Sequence, residues 1–189
     1  MRFLAIVPEA FGGFGGIAVY NRDFLTALSE LPVCEEITIL PRLIRQEPGT
    51  LPARVKLIKQ ASNRLARYFS EFARILCKRE KYDVVLCGHI NLLPFATIAS
   101  KLLGAKHVLL IYGIDAWTPT SRRVSNWLVA YTDAVISISG FTSNGSCPGV
   151  LCRTIRCTCC LTRYIWRSMG LEKSHGISSS VMDLGARKS

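Results

Sequence analysis

Short apolar runs recur through the first three quarters of the chain, and each is followed by a segment with helical spacing. The runs are Arg2-Phe-Leu-Ala-Ile-Val-Pro8, Glu36-Ile-Thr-Ile-Leu40, Asp83-Val-Val-Leu-Cys87, Lys106-His-Val-Leu-Leu-Ile111 and Asp133-Ala-Val-Ile-Ser-Ile138. A strand with solvent on one side alternates polar and apolar residues. A strand covered by helices on both sides does not need to, and reads as a continuous apolar run. These runs therefore predict an α/β chain built on a doubly wound, mostly parallel, Rossmann-like sheet.

The segments between the runs supply the helices. Ile17, Tyr20, Phe24, Leu28 and Leu31 recur at three- and four-residue spacing and predict an apolar helix face, stopped by Pro32. Ser62 is placed to cap a second helix running to about Tyr82. Its apolar face is Leu65, Tyr68, Phe69, Phe72, Ile75 and Leu76, with the aromatic residues assigned to the core. Arg64, Arg67, Glu71, Arg74, Lys78 and Arg79 fall largely on the other face, which is either solvated or suited to an anionic lipid surface. Leu92 to Leu103 predicts a third helix with Gly104 as a left-handed cap. Thr120 or Ser121 could cap a fourth, reaching Thr132, and Ser139 or Thr142 another. The connection from Arg42 to Gln60 is long for a compact domain, so it is functional, mobile, or holds a short strand at Val55-Lys-Leu-Ile58.

In such sheets, ligands sit beyond the carboxyl ends of the strands. The residues expected there are Gly12 to Gly16, Arg42, Gly88-His89-Ile90-Asn91, Tyr112 to Trp117 and Ser139-Gly140. The run Gly12-Gly-Phe-Gly-Gly16, between a strand and a helix start, is either a flexible surface turn or a place where backbone N–H groups approach a phosphate. Gly13 to Ala18 also fits G-x-G-x-x-A, the dinucleotide fingerprint. That site wants an acidic residue after the second strand, where this chain has Arg42, and it wants a tight turn after the first. A phosphorylated nicotinamide cofactor, with Arg42 on its extra phosphate, stays open as an alternative.

Composition narrows the class. The chain has 189 residues, 49% of them hydrophobic, enough for one domain with a real core. No apolar run approaches the ~18 residues of a membrane span, and the N-terminal run is too short for a signal peptide, so a cytoplasmic chain is expected. The net charge of +11 suits anionic partners without choosing among them. No nucleic-acid-binding module is recognisable, and no nucleic acid partner is expected.

Four stretches in order carry a resemblance: Gly15-Gly-Ile-Ala-Val-Tyr20, Tyr82-Asp-Val-Val-Leu-Cys-Gly-His89, Tyr112-Gly-Ile-Asp-Ala-Trp117 and Thr132-Asp-Ala-Val-Ile-Ser-Ile-Ser139. Across residues 1–143 the chain resembles the N-terminal, acceptor-side domain of the family-four retaining glycosyltransferases, half of a GT-B fold. The resemblance implies hexosyl transfer from a nucleotide-sugar to a glycan or lipid-linked acceptor. It implies no metal and no cofactor besides the nucleotide-sugar donor, which is a substrate. The donor would be held by a C-terminal domain, carrying paired glutamates, that nothing in these 189 residues resembles. The expectation is therefore a truncated fragment, inactive alone. Its partners would be an acceptor sugar or glycolipid, with peripheral contact to the inner face of an anionic membrane. A departure from the family pattern is Tyr112, where relatives often carry His. The alternative from another class is a non-catalytic glycan- or partner-binding module.

Within that frame, His89 is the candidate catalytic residue, holding or polarising a sugar hydroxyl, because imidazole donates and accepts at once. Substrate or phosphate contact is assigned to Gly13, Gly15, Gly16, Asn91, Asp115, Trp117 and Ser139. Asp115 and Trp117 would form a carboxylate-plus-aromatic sugar subsite, or only a turn cap and a core residue. His107 and His175 read as structural.

Residues 144–189 differ in character, with 7 basic and 2 acidic residues, against 17 and 11 in residues 1–143. Five cysteines fall at Cys147, Cys152, Cys157, Cys159 and Cys160, a spacing that makes a poor match to a structural zinc site. A disordered basic tail is one reading. A frameshifted one is preferred: Leu151-Cys-Arg-Thr154 can be encoded CTG TGC CGA ACN, which in a shifted frame reads Val-Pro-Asn.

Overall fold

The computed structural model of the chain describes residues 1–112 and 123–137. Six strands form one sheet: β1 Arg2–Val7, β2 Glu36–Pro41, β3 Val55–Leu57, β4 Val84–Cys87, β5 Lys106–Ile111 and β6 Ala134–Ser137. Their order is β3-β2-β1-β4-β5-β6, and every pairing is parallel. This is the Rossmann-like, doubly wound sheet expected from the apolar runs. The long connection after β2 does hold a short strand, β3, at the sheet edge.

The helices are α1 Gly16–Glu30, α2 Leu65–Lys78, α3 Leu93–Leu103 and α4 Arg123–Leu128. The chain leaves β1 toward β2 on one side and resumes at β4 on the other. Right-handed crossovers in opposite directions put α1 on one face of the sheet and α3 on the other. On the α3 face, Leu4, Ile6, Leu40, Val85, Cys87, Leu109 and Ile111 meet Tyr68, Phe72 and Ile75 of α2 and Leu93, Ala96 and Ala99 of α3. Gly104 ends α3 in the left-handed region, φ 65°, as its position predicts.

Two helices differ from the sequence expectation. The buried line of α1 is Ala18, Asn21, Leu25, Leu28 and Ser29. Tyr20 and Phe24 instead stack on each other along its flank, centroids 6.0 Å apart. Leu28 is buried as its spacing predicts, whereas the smaller Ala18, Asn21 and Ser29 share that line, which the spacing of large apolar residues alone does not reveal. Helix α2 starts at Leu65, because the Ser62 hydroxyl bonds the Lys59 carbonyl at 2.7 Å and closes a 3-10 turn. It ends at Lys78, with Arg79 left-handed at φ 49°. The aromatic face of α2 is not all core, since Phe69 is 52% exposed and Leu65 58% exposed.

Charged side chains fasten the opposite edge. The Arg2 guanidinium donates to Glu36 at 3.1 Å and Glu80 at 2.8 Å, and lies 5.3 Å from the Tyr82 ring centroid. Asp133 accepts from the Lys106 ammonium at 2.9 Å and the His107 backbone N–H at 2.8 Å.

His107 is buried within β5. Burial pushes its pKa from 6.5 down to about 4, with the Asp133 charge and a hydrogen bond to the Tyr131 backbone pulling the other way. The folded pKa lies below the unfolded one, so the unfolded chain binds the extra proton in this window. Stability is full above pH 6.5 and falls as the pH drops toward 4. Chemical denaturation should show the protein losing about 2 kcal/mol between pH 7 and pH 5 through this group. His107→Leu should flatten that part of the profile, and an unchanged slope in the variant would assign the pH dependence elsewhere.

Candidate functional site

The strand order reverses between β1 and β4, which makes their carboxyl ends the switch point of the sheet. The two ends approach closely. The Gly88 N–H donates to the Ile6 carbonyl at 2.8 Å. A Cβ at Gly88 would lie 2.7 Å from a Val7 methyl and 3.3 Å from the Val7 Cα, so only glycine fits without displacing β1. Directly after it, half-buried His89 opens the 3-10 turn Ile90–Leu92 that leads into α3. Its Nδ1 accepts the Asn91 backbone N–H at 3.1 Å. That bond selects the neutral tautomer with its proton on Nε2, a donor rather than an acceptor at that atom.

A cavity of about 470 Å³ lies at this edge, lined by Pro8, Arg42, Leu65, Tyr68, His89, Asn91, Leu92 and Phe95. It draws on the ends of three strands and the first turns of two helices. Arg42 follows β2 directly. Its N–H bonds the Val7 and Pro8 carbonyls at 3.0 and 3.2 Å, and its carbonyl accepts from Asn63 at 3.2 Å. The Asn63 side chain exchanges hydrogen bonds with both backbone groups of Ile44, at 2.9 and 3.2 Å, which holds this segment against the start of α2.

The Arg42 guanidinium carbon sits 6.0 Å from the Tyr68 ring centroid. Phe95 forms the apolar wall, its ring 5.3 to 5.4 Å from Tyr68, Phe69 and Phe72. The Arg42 Nη1 and the Tyr68 hydroxyl are buried and have no hydrogen-bond partner among the described residues. A buried polar group left unpaired costs about 1–3 kcal/mol. Burial also pushes the Tyr68 phenol far above its ordinary pKa, so it keeps its proton.

The glycine loop is the neighbouring feature of the same edge. It runs from Pro8 to Gly15, too long for the tight turn of a dinucleotide fingerprint. Its glycines differ in purpose. Gly12 has φ 78°, and a Cβ there would meet the Gln46 carbonyl oxygen at 2.4 Å. A Cβ at Gly13 would meet those of Glu9 and Ala18 at 2.7 and 2.8 Å. Gly15 begins α1 with φ 87°, and around Gly15 and Gly16 there is open space.

The chain's own carboxylate already occupies part of the loop. Glu9 accepts the Phe14 N–H at 3.2 Å and is gripped by the Arg45 guanidinium at 2.9 to 3.1 Å. Arg45, and then the Phe14 N–H, hold the Glu9 carboxyl below the usual carboxylate range against the cost of burial. The Tyr112 hydroxyl donates to the Asn21 side-chain oxygen, and the Asn21 amide donates to the Glu9 carbonyl at 2.9 Å. Tyr112 therefore links β5, α1 and the loop.

Of the residues singled out from the sequence, His89 and Asn91 share the cavity, while Gly13, Gly15 and Gly16 stand on the adjacent loop. Asp115, Trp117 and Ser139, and the whole segment 144–189, lie outside the described residues. Arg42 was expected at this edge, but Tyr68, Leu65 and Phe95 as cavity walls were not. Nothing in helical spacing separates an aromatic residue in the core from one whose hydroxyl faces a cavity. The Glu9–Arg45 pair likewise leaves no periodic trace.

No family model matches the sequence, and no curated protein matches it. One solved structure with a similar chain path is the apo form of the lipopolysaccharide outer core galactosyltransferase WaaB, at 18% identity and a TM-score of 0.48. The similarity covers 76% of this chain and 41% of that one, so the chain spans about two fifths of that protein's length.

The glycine geometry sorts into opposite outcomes. Gly88→Ala should cost about 1–3 kcal/mol in urea denaturation, because the added methyl overpacks against Val7. Gly16→Ala should stay within about 0.5 kcal/mol of the parent, having nothing to strike. Equal effects at the two positions would contradict the close approach of β1 and β4.

Proposed function

We propose that the chain is the acceptor-side half of a retaining, GT-B-type glycosyltransferase of family four. In this reading, hexose passes from a nucleotide-sugar to a glycan or lipid-linked acceptor seated at the β1–β4 switch point. The observation that carries the reading is the cavity at that point, where Gly88 brings two strands together and His89 and Asn91 share one wall. The motif stretches that carry the resemblance contribute separately: Gly15 to Tyr20 begins α1, and Gly88 and His89 follow β4, both at this edge.

Each described residue takes a defined part. His89, with Nδ1 engaged by the Asn91 N–H, offers its Nε2 proton to a sugar oxygen and holds that hydroxyl in place. Asn91 supports the ring from the first turn. Gly15 and Gly16 leave the start of α1 open to an approaching phosphate, and the helix end adds a partial positive charge there. The cavity forms one wall of a cleft. The reading requires a donor-binding domain as the other, so these 189 residues by themselves should hold acceptor without turning over donor. Docking on the inner face of an anionic membrane would use exposed Leu65 and Phe69 beside the basic residues of α2.

Two assays test this. The purified chain, incubated with labelled nucleotide-sugars, should neither hydrolyse nor transfer them; turnover by the chain alone would overturn the need for a second domain. His89→Ala should weaken binding of acceptor glycans at least about tenfold while leaving the melting temperature within a few degrees. A variant that only destabilises would reduce His89 to a structural cap. A thermal shift with a phosphorylated nicotinamide cofactor would favour an oxidoreductase, and glycan binding without turnover beside any donor-binding domain would favour a binding module.

A further inference from the structure

We propose that the cavity between the ends of β2 and β4 and the first turns of α2 and α3 binds an oxyanion carried on an apolar body, with Arg42 and Tyr68 as its principal donors. As an assignment of acceptor class this rests on the transferase reading above; as a binding site it stands on its own observations.

The first observation is unmet hydrogen-bonding capacity. Most cations near the sheet are answered: Arg2 by Glu36 and Glu80, Arg45 by Glu9, Lys56 by Glu36, Lys106 by Asp133. Arg42 has no carboxylate partner among the described residues, and its Nη1 is buried with no acceptor. The Tyr68 hydroxyl, on a side chain with no solvent exposure, is also without a partner among the described residues. Both residues line the same cavity. Buried polar groups in folded proteins are nearly always satisfied, so two orphans beside one cavity call for a ligand atom.

The second observation is the sign of the surroundings. Among the described residues, no acidic one lines the cavity. Helix α2 presents its N-terminal turn there through Leu65, without an acidic residue in that turn and without a side-chain cap. The positive ends of α2 and α3 and the guanidinium favour negative charge at one place. The forked donors of arginine match the oxygens of a carboxylate or phosphate, whereas a neutral hydroxyl leaves the charge unanswered.

The third observation is apolar surface at the same place. Pro8, Leu65, Leu92 and Phe95 line the remainder, and exposed Phe69 packs against Phe95 at 5.4 Å. An inorganic anion alone would leave that surface wet. A ligand with a charged head and a hydrocarbon or ring body covers both.

The test is titration calorimetry on the full chain with octyl phosphate, octanoate, octyl glucoside and inorganic phosphate, each below its micellar concentration. At least one of the two octyl oxyanions should bind about tenfold or more tightly than octyl glucoside and than inorganic phosphate. The tighter of octyl phosphate and octanoate names the source of the anion. Arg42→Gln should weaken that ligand at least about tenfold, and Tyr68→Phe about three- to tenfold. Tyr68→Phe removes a hydroxyl with no partner, so the ligand-free melting temperature should hold or rise, which keeps the test valid if Arg42→Gln fails to fold. Octyl glucoside binding as tightly as the oxyanions, or unchanged affinity in a folded Tyr68→Phe protein, would overturn the proposal. Failure of sugar transfer in a complemented enzyme would remove the word acceptor and leave these affinities unchanged.

Discussion

The close approach of β1 and β4 at their carboxyl ends governs the rest of the molecule. Val7 packs where a Gly88 Cβ would stand, and the Gly88 N–H closes on the Ile6 carbonyl. This contact joins the two halves of the sheet, β3-β2-β1 on one side and β4-β5-β6 on the other. Because the winding direction reverses here, the loops after the two strands diverge to opposite faces and leave a crevice between them. The glycine loop leaves from one strand and the His89 turn from the other. Their relative position is set by a backbone contact between central, buried strands, among the least deformable parts of such a fold.

The crevice is held by backbone bonds and the cavity is not electrostatically finished. Arg42 is fixed through its own N–H and carbonyl to Val7, Pro8 and Asn63, so its backbone position does not depend on a carboxylate partner for the side chain. That separation lets a guanidinium stay half-buried without a carboxylate. The strain shows as unpaired Nη1 and Tyr68 hydroxyl atoms, while nearby charge that fastens structure, such as Glu9 with Arg45, is fully answered. A protein with stability to spare can carry about 1–3 kcal/mol of unmet polar burial at one place, and binding sites are where it does so.

The sheet was legible because strands buried on both faces leave an unbroken apolar signature that no turn or tail imitates. The Gly104 cap and the short strand at Val55 were legible for similarly local reasons. Helix faces were less so. The buried line of α1 runs through Ala18, Asn21, Leu25 and Leu28, and the aromatic residues Tyr20 and Phe24 sit at its flank. Ser62 looked like a helix cap because its chemistry suits one, yet its hydroxyl is spent on the Lys59 carbonyl. His89 and Asn91 could be found because the sheet places them at a strand end. Tyr68 could not, because its importance lies in a missing hydrogen bond, which is a property of three-dimensional surroundings alone.

The glycine run shows how one motif divides between structure and access. Gly12 and Gly13 are needed by the fold, one against the Gln46 carbonyl and the other between Glu9 and Ala18. Gly15 and Gly16 meet nothing and leave the start of α1 open. Glu9 on the inner half of the loop is answered by Arg45 and by the Phe14 N–H. Arg42, three residues before Arg45 on the same connection, has no such carboxylate among the described residues. Under the proposed transferase reading, the open start of α1 and the recess beside Arg42 and Phe95 would be two separate anion-favouring places on one sheet edge. Such an arrangement would keep a donor's phosphates and an acceptor's charge from competing for the same cation.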